Sequence, residues 1–173
     1  GKWEMKDLEY SAASVRFASY TTMLPAKSPI AVRGTFDSAG FTAAVSLGPM
    51  ETLEDPIVVT QSHITLPLDA SDDGASVVGH TGNELPPGEY LAASLLSDEQ
   101  QRRQAILREV LASKRRLMSY PNGPTMMAWT KPLDLGFVLP HKPQGSALVT
   151  VPIEITRPDP GTNVSIPAPF VTY

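Results

Sequence analysis

Short runs of alternating apolar and polar residues, cut every few positions by proline or glycine, are what most limits the folds open to this chain. Its 173 residues include 17 prolines and 12 glycines. Alternation with period 2 suits a strand with one buried face, proline removes a backbone donor, and glycine supplies turn geometry. The runs begin with Val15, Phe17, Ser19 and Thr21, then Ile30, Val32, Gly34 and Phe36, then Phe41, Ala43, Val45 and Leu47. Asp37-Ser38-Ala39-Gly40 lies between the last two and predicts a hairpin. Further runs are Ile57-Val58-Val59, Ile64 to Leu68, Ala75 to Gly79, Met126 to Trp129, Leu133 to Leu139, Ala147 to Ile155, and Val164 with Ile166. Pro56 and Pro67 belong at strand starts, edges or bulges, because they cannot donate to a ladder. Pro86-Pro87-Gly88 has the order of a type II turn and leads into a β-capable run over 89–95.

Only one segment changes period. Ser97 and Gln100 have capping-box spacing, Asp98 and Glu99 suit a helix N-terminus, and Ile106, Leu107, Val110 and Leu111 form a helical stripe. Lys114, Arg115 and Arg116 crowd the far end, and Pro121-Asn122-Gly123-Pro124 stops the helix, which is expected over about 98–118. Parallel sheets need a crossover for nearly every strand, and a single helix cannot serve so many. The fold expected is therefore mainly β: an antiparallel β-sandwich or partly open barrel with one inserted amphipathic helix. A single domain over 1–173 would place that helix between strand blocks 11–96 and 125–173. Two separate β modules would leave the second with a marginal core of about 50 residues. In the single domain the helix covers an open end or a sheet face, its apolar stripe packing down and its arginines standing in water.

Charge is unevenly placed. Residues 1–97 carry 5 basic and 12 acidic groups, 98–118 carry 6 and 3, and 119–173 carry 3 and 3, within a net charge of -4. Nucleic-acid binding needs a positive face, so it is not expected. No apolar run approaches the roughly 18 residues of a membrane span, and the first residues lack the basic-then-apolar pattern of a signal peptide. With no cysteine, disulfides, thiolate metal sites and thiol nucleophiles are excluded.

Few residue patterns suggest chemistry. Asp69-Ala70-Ser71-Asp72-Asp73-Gly74 puts oxygens of Asp69, Ser71 and Asp73 at positions 1, 3 and 5 of a calcium-type loop, with glycine at 6. Position 12 is His80 rather than a bidentate glutamate, and the same composition makes an ordinary turn. His63, His80 and His141 lack short metal-ligand spacing, no Gly-x-Ser-x-Gly elbow occurs, and Gly74, Gly79, Gly82 and Gly88 are too scattered for a phosphate loop. Choosing a glycosidase pair among Glu84, Glu89 and Asp134 would be arbitrary. Trp3, Trp129, Tyr120 and Tyr173 are candidate ligand-binding aromatics, though a β core of this size also needs such residues. The basic concentration Arg102, Arg103, Arg108, Lys114, Arg115 and Arg116 is the candidate interaction surface, against the plainer reading of a solvated helix face.

Leu96-Ser97-Asp98-Glu99-Gln100-Gln101-Arg102-Arg103-Gln104, and Arg157-Pro158-Asp159-Pro160-Gly161-Thr162 running into Ile166-Pro167-Ala168-Pro169-Phe170, resemble stretches of an uncharacterised envelope-associated protein family of planctomycete-type bacteria. Leu85-Pro86-Pro87-Gly88-Glu89-Tyr90 is similar to the lead into a late strand of immunoglobulin-like and transthyretin-like accessory modules. These resemblances imply an extracytoplasmic or periplasmic module without an assigned activity. The function expected is a non-catalytic accessory or protein-interaction β domain of a cell-envelope protein, its partner another envelope protein or the rest of a longer chain. A carbohydrate- or calcium-binding module, with calcium as the one cofactor in view, is the first alternative. A hydrolase with dispersed histidine, serine and carboxylate groups is the second.

Overall fold

The computed structural model describes residues 28–112, 121–133 and 145–171. The expected strands at 15–22 and 133–139, and the helix beyond 112, fall wholly or largely outside the described residues.

Eight strands and one α-helix follow one another among the described residues. The strands are β1 (Ala31–Phe36), β2 (Gly40–Ser46), β3 (Glu54–Val59), β4 (Thr65–Pro67), β5 (Asp69–Ala70) and β6 (Ser76–His80), then, after helix α1 (Asp98–Ala112), β7 (Thr125–Thr130) and β8 (Ala147–Ile155). They form one sheet in the order β4-β3-β7-β8-β1-β2-β6-β5. Two segments serve both halves of it. The first part of β8 pairs with β7 while its last residues, Ile153 to Ile155, pair with β1. At the opposite seam, residues 65–70 run along β3 as β4, turn at Leu68, and continue along β6 as β5. Leu68 donates its N–H to the Pro56 carbonyl at 2.9 Å, which holds that corner. The two edges of the sheet are thus consecutive pieces of one segment, and the sheet nearly closes into a barrel.

The mainly-β expectation with one inserted helix holds, and the sheet is mixed rather than purely antiparallel. β1 and β8 are parallel, with Val32 opposite Ile153 and Gly34 opposite Ile155. A parallel pair needs a long crossover, and the chain between β1 and β8, helix included, supplies it. The Asp37 turn forms as expected, Asp37 accepting from the N–H of Ala39 and Gly40 and from the Thr42 hydroxyl. Those bonds hold its carboxyl below the ordinary value, the Ala39 bond most and Thr42 next.

Alternation decides what each face buries. Val32, Phe41, Ala43, Val45, Val58, Val77, Met126, Val151 and Ile153 face inward with Leu66 and Leu68 as the inner core. Glycine is required where strands crowd: a Cβ at Gly79 would lie 2.6 Å from a Leu66 methyl and 2.7 Å from one of Leu68, at the barrel seam. The other face of β3 and β7 is covered as well. Ile57, Val59, Met127 and Trp129 pack there against Tyr90 and against Leu107 and Leu111 of α1. Hence all six residues of β7 are buried, as a strand sandwiched between core and helix requires.

The run over 89–95 departs from expectation, for it forms no strand. The turn before it is as predicted, Glu89 donating to the Pro86 carbonyl at 3.0 Å with Gly88 at a φ of 86°. Past it, Tyr90 is wholly buried beneath α1, and the chain serves as the lead from the barrel edge to the helix. Ladder partners would have held it flat on the sheet, whereas a helix lying across the sheet has to be reached from above. No helix among the described residues is long and apolar enough to cross a membrane.

Candidate functional site

The capping box at Ser97 forms in both directions: Ser97 Oγ accepts from the Gln100 N–H, and Gln100 Oε1 accepts from the Ser97 N–H, each at 3.2 Å. This sets the first turn of α1 over the end of β3. From there the inward line of the helix is Gln100, Arg103, Leu107 and Leu111, spaced by three and four residues. Val110 is half-buried beside it, while Ile106, expected in the buried stripe, keeps 45% of its surface exposed. The stripe is rotated so that a charged residue occupies an inward position.

That residue is Arg103, only 8% exposed. It corrects the expectation that the helix arginines stand in water. Three carboxylates meet it: Arg103 donates through Nη1 to Asp55 at 2.5 Å, and through Nη2 to Glu54 at 2.5 Å and Glu99 at 2.8 Å. Its guanidinium carbon lies 5.6 Å from the centre of the Trp129 ring, within the range of a cation–π contact. Burial alone would lower the arginine pKa, and the bonds from Glu54 and Asp55 outweigh it, so the pKa is raised and the side chain stays charged.

Two adjacent carboxylates could not both reach Arg103 from a regular strand, because neighbouring side chains point to opposite faces. A bulge solves this. The register of β3 against β7 shifts between Glu54 and Ile57, and Asp55 takes a φ of 44°. Such backbone costs about 1–3 kcal/mol for a residue other than glycine and persists only where surroundings enforce it. Here Arg103 and Gln100, whose Nε2 donates to Asp55 at 3.2 Å, do so. Pro56 follows in the bulge, where its missing N–H breaks no ladder bond. Glu54 is steadied by the Thr52 hydroxyl at 3.1 Å, and Glu99 by Ser146 at 3.3 Å.

Glu54, Asp55, Ser97, Glu99, Gln100 and Arg103 line an open depression of about 490 Å³. Its three carboxylates exceed its one cation, so it is electronegative. The Ser97 hydroxyl is engaged at the helix cap, and the lining includes no imidazole to activate it. Chemically the cluster fastens a helix to a sheet: the guanidinium needs several oxygens at once, and only the bulge and the first helical turn together supply them. Among the described residues, Arg103 Nε and Trp129 Nε1 are buried without a hydrogen-bond partner.

The other residues singled out from sequence lie elsewhere. Arg102 and Arg108 are exposed on α1, and Arg108 Nε donates to the Gly88 carbonyl at 2.7 Å. Lys114, Arg115 and Arg116 lie outside the described residues, as do Trp3, Tyr120, Asp134, His141 and Tyr173. Asp69 sits in β5 opposite Val78, with its carboxylate 3.9 Å from His80. Ser71 donates its hydroxyl to Asp73 at 2.7 Å and accepts from the Ser76 N–H at 3.0 Å, while Asp73 also accepts from the Ala75 N–H at 3.0 Å. Their oxygens close the β5–β6 turn, and the Ser71 bond, followed by that of Ala75, lowers the Asp73 pKa. Among the described residues, no three or more histidine, aspartate or glutamate side chains gather to hold a metal ion.

The cluster around Arg103 does not follow from sequence reasoning, which places Arg103 on the basic outer face of the helix. Two signals marked it. Arg103 falls four residues before Leu107 on the line that continues to Leu111, and Glu54-Asp55-Pro56 interrupts an otherwise apolar stretch from Leu53 to Val59. No family model, curated protein or solved structure matches the chain.

Proposed function

We propose that the chain is a non-catalytic accessory or protein-interaction β domain of a cell-envelope protein, with the outer surface of α1 and its lead-in as the partner face. The observation that carries this reading is the exposure of two large apolar side chains, one just before the locked helix and one on it. Leu95, two residues before the Ser97 cap, is 90% exposed, and Ile106 on α1 is 45% exposed. Arg102, Ile106 and Glu109 share one outer side of α1, so Ile106 is flanked by charges of both signs, as at the margin of a protein interface. The lock at Arg103 supports the reading, since a rigid helix presents such a surface without an ordering cost on binding. What supports the envelope setting is the resemblance of 96–104, 157–162 and 166–170.

The test is co-purification from the source organism with the wild-type chain, a Leu95→Glu/Ile106→Glu double variant and a Val164→Glu control. A partner retained by the wild type and the control but lost from the double variant supports the reading. Equal recovery by all three chains overturns it.

A further inference from the structure

The segment that follows β8 is seated on the barrel as a peptide ligand would be. Thr156 closes β8 with its N–H and hydroxyl on the Gly34 carbonyl, at 2.8 and 3.0 Å. Residues 157–164 are then exposed apart from the half-buried Pro158, with one backbone bond of their own, Thr162 to Asp159. At Ser165 the chain docks again. The Ser165 N–H donates to the Asp37 carbonyl at 2.7 Å, its hydroxyl bonds Thr81 at 2.9 Å, and the Ala168 N–H donates to Glu84 at 3.1 Å.

Side chains alternate along this stretch. Pro167 and Pro169 are buried, whereas Val164, Ile166 and Ala168 face water. Pro167 has the polyproline geometry, φ -60° and ψ 147°, and the 3-10 turn Ala168–Phe170 follows. That turn delivers the Phe170 ring to within 5.0 Å of Phe36 and 4.9 Å of Phe41. The hydrogen bonds and ring contacts that hold the segment come from the β1–β2 hairpin (Phe36, Asp37, Phe41) and the loop after β6 (Thr81, Glu84). Two backbone donors read by fixed acceptors, two prolines with little conformational freedom to lose, and one aromatic anchor are the elements of extended-peptide recognition.

We propose that this groove is a peptide-binding site for a Ser-x-Pro-x-Pro-aromatic segment, filled by residues 165–170 of its own chain, and that it accepts the same segment from a second copy. The second copy is the occupant the structure argues for, since its segment matches the groove residue for residue. The exposed 157–164 connector, eight residues long, spans up to about 27 Å when extended, enough to hand the segment to a neighbour. The segment of the same chain has the advantage of high effective concentration, so exchange shows when that internal contact is weakened. Glu84 is the latch, for its carboxylate holds the Ala168 N–H with one oxygen and the Gly82 N–H with the other.

The experiment uses the full chain and a fluorescent synthetic peptide of residues 162–171. The Phe170→Ala chain is expected to bind this peptide about tenfold more tightly than the wild type, because its internal competitor is impaired. Adding Glu84→Ala to that chain is expected to weaken binding several-fold. A folded Phe170→Ala chain, checked by circular dichroism, that does not bind the peptide overturns the proposal, and so does binding indifferent to Glu84→Ala. Should Phe170→Ala fail to fold, amide hydrogen exchange on the wild type decides. The Ser165 and Ala168 amides must open together, at least about tenfold faster than those of Met126 and Ala128 in β7. Protection equal to that of β7 would mean the segment is a fixed part of the barrel.

Discussion

The two faces of the β3–β7 pair are both buried, yet by different means. Inside the barrel, Val58 and Met126 pack in one apolar cluster with Leu66, Val77 and Val151. Outside, Ile57, Val59 and Met127 meet Leu107 and Leu111 over part of the interface, and the Arg103 cluster closes the rest. Apolar contact is non-directional, so it fixes which face is buried but tolerates sliding and rotation of what covers it. An arginine held by three carboxylates and a tryptophan ring fits in one position only. The inner face therefore supplies stability to the barrel, and the outer face adds to stability a choice of helix position.

The sharpest way to break the inner face is Phe41→Ala. Phe41 is fully buried and touches both Phe36 and Phe170, so its loss should cost about 3–5 kcal/mol, measured by denaturant unfolding. A smaller but differently shaped effect is expected from Arg103→Met, which keeps the packing length and removes the charge. It should cost about 2–4 kcal/mol, because the half-buried Asp55 loses its charged partner and keeps only the bond from Gln100. Limited proteolysis should then cut within 89–112 before it cuts the strands. A double-mutant cycle with Asp55→Asn should show a coupling of about 1–3 kcal/mol. Additive effects would mean that the cluster does not act as a unit.

Acid titration separates a turn carboxylate from either face. The folded-state pKa of Asp37 lies below its ordinary value of 3.8, so the folded chain binds that proton less readily than the unfolded chain. Its stabilising contribution is present in full above about pH 4 and is lost as pH falls through the folded pKa. Asp37→Asn should flatten that part of the stability profile, and an unchanged acid limb would refute the assignment. Least affected should be the exposed Arg33–Glu154 pair, paired at 2.8 Å across β1 and β8 in open solvent. Arg33→Ala should change stability by no more than about 0.5 kcal/mol and vanish in high salt.

Much of the barrel was legible in the chain. Alternating or continuous apolar runs and turn residues marked β1, β2, β3, β6, β7 and β8, and Ser97 with Gln100 marked the start of α1, because these features depend on neighbours in sequence. The run over 89–95 misled for the same reason. Its composition permits a strand, but among the described residues no strand pairs with it, and Tyr90 packs with Leu107 and Leu111 of the helix instead. The candidate site was less legible still. Arg102 and Arg103 look alike in sequence, and only the direction of the helix face separates the exposed one from the buried one.

By itself, then, the sequence determined a mainly-β fold, the position of helix α1 along the chain, its turns, and which residues of the alternating strands face inward. Those outcomes rest on local backbone geometry and on the period of apolar side chains, both written in consecutive residues. Tertiary structure decided the parallel β1–β8 pair, the seam at Leu68, the docking of 165–170, and the meeting of Glu54, Asp55 and Glu99 at Arg103. Each of these joins segments far apart in the chain. Which partner a strand, a proline or an arginine finds depends on the closure of the whole barrel rather than on its neighbours in sequence.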